Sequence, residues 1–169
     1  MQIASRRGTP RLLRNARRIS LATQQMSLDS FTAGKGAVWM TRDGTNFFGS
    51  AQEFFDTLIS ENYLTANDVK ALIAAPGVQP AKIIPPNQII AGPDQSAFAF
   101  FPVKEDSSAD AAFIVSKNWS HTGLTTNAPY GKEKFVVFRK SGEGAIYTRP
   151  SDATNTNHFG ESFSKPLIK

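Results

Sequence analysis

The chain has 169 residues, 40% of them apolar, 13 phenylalanines and no cysteine. That is enough apolar matter for one core, and it excludes disulfides, thiolate zinc sites and iron–sulfur clusters. Its formal charge of +5 is local: six arginines (Arg6, Arg7, Arg11, Arg14, Arg17, Arg18) precede the first acid, Asp29, and without them 13 basic residues face 14 acidic ones. The body is close to neutral, so a pI near 9.6 does not report a basic surface spread over a fold.

From Arg11 onward, Leu12, Ala16, Ile19, Ala22 or Thr23, and Met26 fall at steps of three and four, which places them on one helical face. Pro10 suits a first helical turn and Thr9 an N-cap, so the spacing predicts a helix from about Pro10 to Ser30, ended by the glycines of "TAGKG". The stripe is narrow and the first half cationic, so this helix needs a body to lie against. "AVWMTRDGTNFF" (Ala37 to Phe48) reads as a short strand with a turn at Asp43-Gly44. "SAQE" at Ser50 to Glu53 is a capping box that opens a short helix carrying Phe54, Phe55, Leu58 and Ile59. A second short helix starts near Thr65 or Asn67, carries Val69, Leu72 and Ile73, and stops at "APG".

Five prolines between Pro76 and Pro93 predict an extended loop around Ile83-Ile84 and Ile89-Ile90. Beyond it come β-type runs at Ser96 to Val103, Ala111 to Ser116, Phe135 to Lys140 and Ala145 to Arg149. Gly142 and Gly144 in "KSGEGA" signal a tight hairpin between the last two. The expected fold is α+β: one long N-terminal helix (1–35, a stem) packed on an antiparallel sheet, with small helices between, the head covering 36–169. The tail from Pro150 reads as polar and irregular.

Catalytic signals are sparse. Only His121 and His158 are present, neither with a partner at metal-ligand spacing. No G-x-S-x-G elbow, G-x-G-x-x-G turn or phosphate loop occurs. Asp106, Asp110, Asp152, Asn155 and Asn157 offer the hard oxygens that calcium accepts, but not at EF-hand spacing, so a loop-bound calcium is weakly supported and no cofactor is expected. The phenylalanines have core rather than base-stacking spacing. The arginine arm can be read as a phosphate- or headgroup-tracking segment or as a solvated helix face. Cations at a helix N-terminus oppose the macrodipole, so their placement serves something other than isolated helix stability.

The layout of a long helix with "NARRISLATQQM", small helices around "EFFDTLISENYLTANDVKALIAAPG" and a closing "FVVFRKSGEGAIY" resembles the type IV pilin-like proteins, specifically the pseudopilins of type II secretion-like systems. Ala16, Arg17, Arg18, Leu21 and Gln24 match a pattern many of them show after their membrane segment. Val136, Val137, Phe138, Arg139, Lys140, Gly142 and Gly144 match their late hairpin. The family's basic leader, cleavage site and apolar run are not in this sequence. The resemblance therefore implies either an upstream membrane-spanning continuation of the helix, with the head at the periplasmic face of an inner membrane, or a fold-level likeness only, with a cytoplasmic protein starting at Met1.

What the resemblance implies is a non-enzymatic filament or secretion-apparatus subunit engaged in protein transport, partnered by other pilin-like subunits and exported cargo. In that reading Ile19, Ala22, Met26 and Phe31 dock stem to head. The competing expectation is a small cytoplasmic nucleic-acid-binding module gripping phosphates through the arm, although nucleic acid is not the partner the arm's composition favours. An enzyme with a loop-built site is the third.

Overall fold

The computed structural model describes residues 2–41, 45–120 and 123–149, and over 2–10 the backbone alone. The chain is α+β, as its pattern of elements predicts. Helix α1 runs Gln2–Thr32, α2 Ala51–Ser60 and α3 Ala66–Ile73. Among the described residues eight short strands follow: β1 (Lys82–Ile84), β2 (Gln88–Ile90), β3 (Phe98–Phe100), β4 (Ala112–Ser116), β5 (Trp119–Ser120), β6 (Gly123–Leu124), β7 (Phe135–Arg139) and β8 (Gly144–Tyr147).

α1 starts earlier than the Pro10 expected from the sequence. Its backbone is already helical at Gln2, so Thr9 does not cap it. Pro10 therefore lies inside the helix rather than in its first turn, where it removes one backbone hydrogen bond. The helix ends where Ala33, Gly34 and Lys35 donate back to the carbonyls of Asp29, Phe31 and Ser30, with Gly34 at φ 77° in the left-handed region glycine adopts freely.

α2 and α3 begin at the caps their sequences advertise. The Ser50 hydroxyl accepts from the Glu53 N–H at 3.2 Å, and the Gly49 N–H donates back to Glu53 Oε2 at 2.8 Å. Thr65 and Asp68 form a reciprocal capping box, which also holds the Asp68 carboxyl below its usual range through the Thr65 backbone N–H.

The main sheet has the order β3-β4-β7-β8, antiparallel throughout. β4 and β7 are buried along their whole length because the sheet is covered on both sides. One face, with Phe98, Phe100, Ile114, Val136 and Phe138, joins the core shared with α1, α2 and α3. The other, with Phe101, Val115, Phe135 and Val137, is roofed by Trp119 and Leu124 from the β5–β6 excursion. A sheet buried on both faces reads as a continuous apolar run rather than an alternation, which is why "AFIVS" and "FVVF" carry almost no polar residues.

Two expectations are corrected. Among the described residues of Ala37 to Phe48 no strand forms: Trp39 sits at φ 41°, and these residues keep an isolated Thr41–Phe47 bridge. The backbone there is held by one distant partner, the Met40 N–H donating to the Val103 carbonyl, and by one bond within the segment, the Phe48 N–H donating to the Met40 carbonyl. The Asp43-Gly44 turn lies outside the described residues. The proline-rich stretch, read as loop, contains the hairpin β1–β2, with Ile83 paired to Ile89 across the Pro85-Pro86 turn. Short extended runs bounded by prolines pair when a body supports one face, and here Gln52 of α2 donates to the Ile89 carbonyl and accepts from the Ala91 N–H, both at 2.8 Å.

Candidate functional site

α1 divides lengthwise. Its inner stripe, Leu12, Ala16, Ile19, Thr23 and Met26, is at most 2% exposed and belongs to the common core apart from the hydroxyl-bearing Thr23, whose Oγ1 donates to the Ile19 carbonyl. Burying Leu12, Ile19 and Met26 contributes about 2 kcal/mol each before conformational entropy is counted. Asn15 adds a longer-range tie, donating to the Leu72 carbonyl at 3.0 Å. The fit to the sheet is close: a Cβ on Gly144 would stand 2.8 Å from the Leu13 side chain and 2.7 Å from the Phe138 ring, so β8 can lie under α1 only with glycine there.

Of the residues expected to dock stem on head, Ile19 and Met26 are in the core, and Ala22 is half-buried against it. Phe31 is not: it is 67% exposed. Five residues beyond Met26, at about 100° per residue, Phe31 has rotated about 140° away from that stripe and faces out near the end of the helix.

The outer side carries the arginines. Arg11, Arg14 and Arg17 are exposed and have no ion-pair partner among the described residues. Arg18 pairs with Asp68 of α3 at 2.9 Å, with more than half of its side chain exposed, a geometry worth well under about 1 kcal/mol. The side chains of Arg6 and Arg7 lie outside the described residues.

Further along the same side Leu21 and Leu28 are 57% and 59% exposed. Leu28 and Phe31, with Gln24, Ser27, Ala37, Trp39 and Glu105, line a cleft of about 340 Å³. Trp39 is fixed there by its indole N–H, which donates to Glu105 Oε2 at 2.6 Å, and by Lys140, whose ammonium lies 5.1 Å from its ring centre. On the adjoining flank the Tyr63 hydroxyl donates to Asp29 Oδ2 at 2.7 Å. Burial first, and that bond second, raise the Tyr63 pKa to about 12, so Tyr63 remains a donor to Asp29 throughout the physiological range. Among the described residues seven large apolar side chains are exposed, and the three most exposed of them, Leu21, Leu28 and Phe31, lie on this one side of α1. The sequence reading passed over Leu28, Trp39 and Glu105 as site residues, although the seven-residue step from Leu21 to Leu28 was there to be seen.

No group of three or more metal-ligating side chains converges among the described residues. Asp106 pairs loosely with Lys104 at 3.5 Å in a surface turn. His121, His158, Asp152, Asn155 and Asn157 lie outside the described residues. No helix among the described residues is long and apolar enough to cross a membrane. No family model, curated protein or solved structure matches this chain.

Proposed function

We propose that this chain is a non-catalytic structural subunit of a pilus-like or secretion-system pseudopilus filament that assembles through α1. The observation that carries the reading is the two-sidedness of that helix. One stripe is sealed into the α+β body, while the opposite side presents Leu21, Leu28 and Phe31 to solvent. A helix so arranged has its fold already satisfied and still offers an apolar side on which neighbouring stems can pack. In this reading the partners are other pilin-like subunits, the head presents its loops to exported cargo, and the work is done at the periplasmic face of an inner membrane.

The three unpaired arginines favour a second reading, a cytoplasmic module that grips nucleic-acid phosphates. One experiment separates the two. Sedimentation of the full chain is expected to show concentration-dependent association that Leu28→Asp with Phe31→Asp abolishes while the melting temperature stays within about 2 °C. A chain that stays monomeric at every concentration, yet binds arbitrary duplex DNA with steep salt dependence, replaces the assembly reading with the second.

A further inference from the structure

The outward side of α1 has a seven-residue rhythm. Arg14, Leu21 and Leu28 recur at steps of seven, within about 40° of one line at about 100° per residue. Arg17, Gln24 and Phe31 follow each by three. That is the a and d spacing of a seam between two helices, and five of these six side chains are exposed, Gln24 being half-buried. The seam is unequal along its length. Its first half is basic, with Arg11, Arg14 and Arg17 lacking ion partners among the described residues. Its second half is apolar and opens into the Leu28–Phe31–Trp39 cleft, with Glu105 on its rim. Lys140, whose ammonium lies over the Trp39 ring, stands at that end as well, so it is nearly balanced. The contrast with three unopposed arginines remains.

Two parallel helices in register would set Arg14 against Arg14 and Arg17 against Arg17, and like charges facing across a seam are destabilising. Displacing one helix along the other removes that conflict. The aliphatic stems of the arginines then cover Leu28 and Phe31, their guanidiniums can lie over aromatic faces, and Glu105 on the cleft rim comes within reach.

We propose that a second copy of this chain docks on α1 out of register, the Arg11–Arg18 half of one helix lying in the Leu28–Phe31 cleft of the other. This rests on the assembly reading above and specifies which surfaces meet.

The native chain has no cysteine, so single-cysteine variants report the register directly. Full-length R14C and L28C chains, one isotopically labelled, are mixed and oxidised, with S60C as an exposed control on α2. In a parallel in-register pair Arg14 of one helix and Leu28 of the other would stand about 21 Å apart, far beyond disulfide reach, so a mixed product excludes that register. The R14C–L28C disulfide is expected to exceed both same-site products several-fold. It is expected to fall as salt rises from about 0.05 to about 0.5 M, and to fall again when Arg17→Glu is added to the R14C chain. Dominant same-site disulfides would overturn the displaced register and leave assembly through α1 standing. Yields no higher than the S60C control for every pair would overturn both. A mixed product indifferent to salt and to Arg17→Glu would overturn the role given to the arginines.

Discussion

At the scale of single residues, Lys117 is the clearest strained position. Its ammonium is shielded from solvent and has no hydrogen-bond partner among the described residues, although its backbone N–H donates to the Ala97 carbonyl. Burial lowers its pKa, only partly opposed by Asp94 across a small cleft. A buried unpaired charge costs free energy, so Lys117→Met is expected to stabilise the protein at pH 7. The gain is roughly 0.5–1 kcal/mol, the partly solvated stem discounting the full penalty. The sign against pH follows from the lowered pKa. Below the folded-state value the lysine is charged in both states and the penalty is complete; as pH rises through that value toward the unfolded one near 10 the penalty fades. Thermal melts of both proteins between pH 7 and pH 10 should therefore converge, and a gap that widens with pH would contradict this account.

At the scale of elements, α1 separates residues that hold the body together from residues that face out. Ile19→Asp or Met26→Asp places an unpaired carboxylate in a site at most 2% exposed and is expected to cost more than about 3 kcal/mol, enough to unfold a domain of ordinary stability. Phe31→Asp alone, at a position two-thirds exposed, is expected to change stability by less than about 0.5 kcal/mol. Urea unfolding of the three variants measures this difference, and a Phe31→Asp chain as unstable as the other two would place Phe31 back in the core. The stripe from Leu12 to Met26 was readable because a helix of known period lies on a single surface. Phe31 was misjudged because the spacing alone does not show how far around the helix the body reaches.

At the scale of the whole molecule, the residues of α1 share one core with the helix-facing side of the sheet, while the opposite side closes over a smaller cluster around Trp119. β4 and β7 contribute to both, so the two clusters are expected to melt together. The two tryptophans sit on opposite sides: Trp39 meets the Phe113 ring edge at 6.2 Å, and Trp119 packs near Phe101 and Phe135 at about 6.5 Å. Fluorescence of Trp39→Phe and Trp119→Phe chains, each referred to its own helical circular dichroism, should give coincident urea midpoints within about 0.2 M. A separate early loss of helix would show α1 to be an independent stem. The order of the three helices before the four strands of the main sheet, the caps of α2 and α3 and the β7–β8 hairpin were determined by the sequence alone, because period, capping residues and turn glycines act over a few neighbouring positions. Tertiary structure alone decided the rest. Met40 finds Val103 and breaks a local strand, Gln52 holds β2 and turns a loop into a hairpin, and the β5–β6 excursion buries the second face of the sheet. Each of these depends on partners from 16 to 63 positions apart, which local pattern does not encode.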